Sequence, residues 1–137
     1  MREIFADTYY WVALTDPREP RHSAALALSS SLGAARLLTT EAVLIEFLNF
    51  FAEQGPYWRR RALTMIDTIL QNPSIEVVRL EQVAIFQDGL ALYAARPDKG
   101  YSMTDCVSMA IMRDREIYEV LTSDHHFAQE GFLLLFR

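Results

Sequence analysis

The chain has 137 residues, 51% hydrophobic and 12% aromatic, with a formal net charge of −5 and one cysteine. That length suits a single domain spanning residues 1–137, and the composition excludes disorder. No apolar run reaches the ~20 residues of a membrane span, no secretory signal opens the chain, and Cys106 has no disulfide partner, so a cytoplasmic setting is expected.

Ile4-Phe5-Ala6 reads as a first strand, and Tyr9 to Leu14 as an apolar turn or short helix stopped by Asp16-Pro17. A helix is predicted from Pro20 to Leu32, with Gly33 past its end. Ala35 to Thr39 is strand two. Thr40 can cap the next helix, which is predicted to run to Gln54 and stop at Gly55-Pro56. Trp58 to Leu70 is helical, Ile75 to Val78 is strand three, and Glu81 to Ala95 is helical up to Pro97. Met103 to Arg115 is helical, Tyr118 to Thr122 is strand four, a helical turn follows Asp124, and Phe132 to Phe136 is strand five. This alternation predicts an α/β domain with a mostly parallel five-stranded sheet and helices on both faces.

Four acids stand where the chain passes from strand to helix. Asp7 follows strand one, Glu46 lies in the helix after strand two, Asp105 opens a late helix, and Asp124 follows strand four. In open parallel sheets, sites form beyond the carboxyl ends of the strands. Two carboxylates about 4 Å apart repel by roughly 4 kcal/mol at an effective dielectric of 20, and a divalent cation reverses that sign. All-oxygen ligands select a hard ion, Mg²⁺ or Mn²⁺.

Each aspartate also has an ordinary structural reading. Asp7 and Asp124 can cap helices, and Ser102-Met103-Thr104-Asp105 is a capping-box pattern. Glu46 is not a cap. It interrupts the apolar run Ala42-Val43-Leu44-Ile45-Glu46-Phe47-Leu48, although Glu46, Asn49 and Glu53 share one face as a narrow polar stripe.

Competing chemistries lack their parts. An aspartate-nucleophile phosphatase wants a second Asp two places after the first, where Tyr9 stands. A phosphoacceptor receiver needs paired acids after strand one and a late Lys, and the one lysine is Lys99. No Gly-rich phosphate loop is present.

In order and spacing, Phe5-Ala6-Asp7-Thr8, Glu46, Thr104-Asp105 and Leu121-Thr122-Ser123-Asp124-His125-His126-Phe127 resemble the PIN-domain family and, within it, the small VapC-type toxin ribonucleases. The resemblance covers essentially the whole chain. It implies a three-layer α/β/α sandwich and cleavage of RNA by an Mg²⁺- or Mn²⁺-dependent endoribonuclease, the toxin of a type II toxin–antitoxin pair. It also implies frequent homodimerisation and a small antitoxin covering the active cleft. Asp7, Glu46, Asp105 and Asp124 fill the catalytic acidic positions, with Asp7, Asp105 and Asp124 as metal ligands and Thr8 and Thr122 as supporting hydroxyls. The alternative keeps the fold and drops the catalysis, leaving an inactive RNA- or protein-binding module.

The charge of −5 is unusual for an RNA partner, but setting aside the four acids leaves −5 + 4 = −1, and twelve of thirteen basic residues are Arg. Trp58-Arg59-Arg60-Arg61 offers RNA contacts, although a solvated helix face is the simpler reading. Arg96 and Lys99 are better placed to approach a phosphate. Tyr9, Tyr10 and Trp11 are expected in the core more than in base stacking, Cys106 in the core, and His125 and His126 in a surface turn. Phe47, Phe50 and Phe51 are expected to leave apolar surface for a dimer or antitoxin.

Overall fold

The computed structural model describes residues 1–82 and 84–136. Its sheet is built from β1 (Glu3–Ala6), β2 (Arg36–Thr40), β3 (Ile75–Val78), β4 (Glu119–Leu121) and β5 (Leu133–Leu134), and every pairing is parallel. Strand order is β3-β2-β1-β4-β5, so the chain builds outward from β1 first one way and then the other. Ile4, Phe5 and Ala6 are fully buried, as a central strand covered on both faces demands. Phe5 sits opposite Leu38 on one side and Val120 on the other.

Helices α1 (Thr8–Thr15), α2 (His22–Ser31), α3 (Glu41–Phe51) and α4 (Pro56–Gln71) connect β1 to β2 and β2 to β3. Helices α5 (Ile85–Ala95), α6 (Met103–Asp114) and α7 (His125–Gln129) follow the reversal of strand order. Right-handed crossovers in opposite directions place the two groups on opposite faces, which gives the expected three layers. No described helix is long and apolar enough to cross a membrane.

Local sequence explains most helix ends. The Thr40 hydroxyl accepts the Val43 amide at 3.1 Å and starts α3. Gly55 at φ 96° and Pro56 start α4. Gly89 sits inside α5 because α6 comes so close: a Cβ there would lie 2.8 Å from Val107 Cγ2.

Some boundaries differ from the sequence reading. Helix α5 begins at Ile85, not Glu81, because Ala84 adopts φ 73° and residues 80–82 form a turn. Val83, within the predicted helix, lies outside the described residues. Helix α3 stops at Phe51, where the Ala52 and Gln54 amides turn back to Asn49 and Phe51. Pro20 lies in the turn before α2 rather than in its first turn. Phe47 and Phe51 are fully buried, and Phe51 stacks on Trp58, so of the three phenylalanines expected at the surface only Phe50 is exposed.

Candidate active site

The carboxyl ends of β1 and β4 lie side by side at the point where strand order reverses, and the Asp7 amide donates to Leu121 O at 3.3 Å. A cleft of about 470 Å³ opens there. Asp7, Thr8, Glu46, Asp105, Thr122 and Asp124 all line it. Topology thus joins residues up to 117 positions apart at the site predicted for open parallel sheets.

Asp7 occupies the N-cap position of α1, yet its side chain makes no capping bond. Its carboxylate instead accepts the Thr122 hydroxyl at 2.9 Å and the Thr8 amide. Burial pushes this carboxyl up to about 7, against those two donors, and the nearby charges of Asp105 and Glu46 push the same way as burial. A carboxylate so placed favours a cation beside it.

Asp105 combines both readings of its sequence. It completes the capping box with Ser102, whose hydroxyl accepts the Asp105 amide at 3.0 Å while Asp105 Oδ2 accepts the Ser102 amide at 3.2 Å. It is also buried and lines the cleft. Burial raises its carboxyl, contact with His126 opposes this, and the charge of Asp124 adds to it. Asp124 caps α7 through the His126 amide at 2.9 Å, and its own amide donates to the Thr122 hydroxyl at 3.1 Å. Thr122 therefore ties Asp7 to the backbone carrying Asp124.

Glu46 is half-buried on α3 and lines the cleft together with Asp7 and Phe50, while Asn49 and Glu53 are exposed. The Thr8 hydroxyl is buried with no hydrogen-bond partner.

His126 was expected in a surface turn, and the structure moves it into the site. Its Nδ1 lies 3.1 Å from Asp105 Oδ2 and 3.4 Å from Asp124 Oδ1. Among the described residues, Asp105, Asp124 and His126 form the one group of three metal-ligand side chains whose donor atoms all lie within 4.8 Å of one another. The Asp-X-His spacing at a helix start was the sequence signal, since a cap at Asp124 puts the second residue on beside it. His125 is exposed.

Glu130 was also missed. Its side chain is 4% exposed and accepts Arg96 Nε at 2.9 Å, Tyr101 Oη at 2.9 Å and Arg113 Nη2 at 2.7 Å. Burial would raise this carboxyl, but Arg96, Arg113 and Tyr101 outweigh it and hold it at about 2. The cluster pins the 96–101 loop, whose Gly100 forms one wall of the cleft. Arg96, considered for phosphate contact, is thus engaged by Glu130, whereas Lys99 is exposed. Arg59 and Arg61 donate to Ala52 O and Thr15 O, at the carboxyl ends of α3 and α1. Tyr10, Trp11 and Cys106 are core residues, while half-buried Tyr9 lines the cleft and meets Phe136 edge-on.

The pattern of the PIN domain family matches residues 4–133. Among solved structures, VapC20 of Mycobacterium tuberculosis, described as a sarcin-ricin loop cleaving toxin, matches with a TM-score of 0.85 and 25% identity over 95% of this chain and 96% of that one. VapBC2 from Rickettsia felis, bound to a DNA fragment from its promoter, matches at 0.67 and 12% identity over 96% of each chain. FitAcB from Neisseria gonorrhoeae matches at 0.61 and 17% identity over 96% of this chain and 95% of that one. The last two show the fold alone. No curated protein matches the sequence significantly.

Proposed function

Because this chain belongs to the PIN domain family, we propose that it is a metal-dependent endoribonuclease and the toxin of a toxin–antitoxin pair. The observation that carries this reading is the convergence of Asp7, Glu46, Asp105 and Asp124 on one cleft at the strand-order reversal. An inactive binding module would gain nothing from a buried carboxylate held against other acids, so the catalytic reading is favoured.

Asp7, Asp105 and Asp124 are the proposed ligands of Mg²⁺ or Mn²⁺. Their oxygens suit a hard divalent ion, and burial beside other acids makes the Asp7 carboxylate a group that a cation would stabilise. When bound, the ion lowers the pKa of a coordinated water and offsets charge on the phosphate. Thr122 holds the Asp7 carboxylate in orientation through its 2.9 Å hydrogen bond. Glu46, across the cleft, orients the attacking water and receives its proton. The water oxygen forms the new bond to phosphorus as the bond to the leaving ribose oxygen breaks. Thr8, which lines the cleft next to Asp7, is the proposed second supporting hydroxyl.

Tyr9 and Phe50 present ring surface at the cleft for stacking against unpaired bases. Lys99, exposed beside the cleft-lining Gly100, is the proposed phosphate contact. The chain acts in the cytoplasm as one domain, with a small antitoxin over the cleft and a second copy of the chain as partners. VapC20 is described as a sarcin-ricin loop cleaving toxin, so the sarcin-ricin loop is the first substrate to try.

The test is sequencing of RNA ends after induced expression of wild type and Asp7→Asn. New ends at defined positions are expected in the wild type and not in the variant. Identical end patterns from a folded Asp7→Asn protein would remove the assignment.

A further inference from the structure

We propose that His126 supplies a nitrogen ligand to the cation held by Asp105 and Asp124, and that the site therefore selects Mn²⁺ over Mg²⁺. This rests on the metal-dependent reading above and adds a donor that an all-carboxylate site lacks.

The geometry is that of neighbouring ligands. Around a six-coordinate ion with bonds of about 2.1 Å, adjacent donor atoms stand roughly 3.0 Å apart. His126 Nδ1 lies 3.1 Å from Asp105 Oδ2 and 3.4 Å from Asp124 Oδ1. Both separations suit adjacent positions of such a shell, and the three donor atoms lie within 4.8 Å of one another on residues that line the cleft.

All three side chains are held in place by the protein. Asp105 Oδ2 is fixed by the Ser102 amide, and Asp124 Oδ1 by the His126 amide. The imidazole ring lies 5.1 Å from the ring of Tyr101 at an angle of 58°, and the Tyr101 hydroxyl is anchored on Glu130 at 2.9 Å. The buried Glu130 cluster thus reaches the site through one aromatic contact, and His126 is pre-oriented for ligation. The 3.1 Å contact is one in which Nδ1–H donates to Asp105 Oδ2, and ligation exchanges that Nδ1 proton for the cation, leaving the ring proton on Nε2.

The consequence is selectivity. Mg²⁺ is held by oxygen, whereas an imidazole shifts preference toward first-row transition ions, of which Mn²⁺ also accepts carboxylates and octahedral geometry. The other histidines are placed elsewhere: His22 Nδ1 contacts Ala13 O at 2.6 Å, and His125 is exposed.

Pulsed electron paramagnetic resonance of the full chain loaded with Mn²⁺ reads the ligand directly. A directly bonded ¹⁴N coupling is expected, changing to the ¹⁵N pattern when the wild type is grown on ¹⁵N-histidine. The coupling should vanish in His126→Gln and persist in His125→Gln. The ¹⁵N experiment needs no variant and stands even if His126→Gln fails to fold. In competition, at least tenfold more Mg²⁺ than Mn²⁺ should be required for half displacement, and this ratio should fall at least threefold in His126→Gln. Bound Mn²⁺ without nitrogen coupling overturns the role of His126 and leaves the carboxylate site standing. Binding of Mg²⁺ without Mn²⁺ overturns the selectivity, and binding of neither ion overturns the metal-dependent reading itself.

Discussion

Two buried carboxylates in this molecule are treated in opposite ways. Glu130 is met by Arg96, Arg113 and Tyr101 and held at about 2. Asp7 is met by one hydroxyl and one amide, so burial, to which the nearby acids add, pushes it up to about 7. One region brings its own counter-charges and fixes a loop. The other is built to lack them, which stores an electrostatic cost that a cation can relieve. A carboxylate surrounded by cations is structural, and a carboxylate surrounded by acids points to function.

The largest expected effect is on cleavage. Asp7→Asn and Asp105→Asn should each lower RNA cleavage by roughly 10³-fold or more, the several kcal/mol a metal centre contributes to the transition state. Glu130→Gln should leave a measurable fraction of activity, because Glu130 acts on the loop rather than on the substrate. Equal losses at Asp105 and Glu130 would erase the contrast.

Stability should move in opposite directions. The Asp7 carboxyl rises from 3.8 to about 7 on folding, so between those values the folded state binds the extra proton. Stability contributed by this group is complete below pH 3.8 and lost as pH rises toward 7. The shift corresponds to about 4 kcal/mol. In chelator, Asp7→Asn should therefore melt higher than wild type at pH 8 and lose that difference near pH 4, by calorimetry at both values. For Glu130 the sign reverses. Its contribution, about 3 kcal/mol, is present above pH 4.5 and lost as pH falls through about 2. Glu130→Ala should accordingly be destabilised at pH 7 in urea unfolding, and less so at pH 3.

The smallest effect is at the hydroxyl tying Asp7 to the β4 end. Thr122→Val removes a charged-acceptor hydrogen bond and should cost about 1.5 kcal/mol of orientation, near tenfold in cleavage. Thr122→Ser should restore most of it.

The acid cleft was partly legible in sequence because Asp7 and Asp124 stand at strand-to-helix passages, which a parallel sheet sends to one edge, whereas Asp105 opens α6 after helix α5 and a loop rather than after a strand, and Glu46 lies inside α3. Glu46 announced itself by interrupting an apolar run. Glu130 did not, since its partners Arg96, Tyr101 and Arg113 are brought to it only by the packing of α6 and the loop before it. His126 was hidden by its duplicate, His125, and by the assumption that a short turn after a cap points to solvent. Phe47 and Phe51 are buried where exposure was expected, because α3 packs on both α1 and α4. The late start of α5 depends on the left-handed turn at Ala84, which no helix propensity marks.

The most direct test of a cleft built to lack its counter-charge is the melting temperature of wild type at pH 8 against Mn²⁺ concentration, beside Asp7→Asn. At a hundredfold excess over the dissociation constant, binding adds about 2.7 kcal/mol. Wild type should then rise by roughly 8 °C, with a much smaller rise in the variant. A wild-type melting temperature unmoved by Mn²⁺ or Mg²⁺, or an equal rise in both proteins, would contradict it.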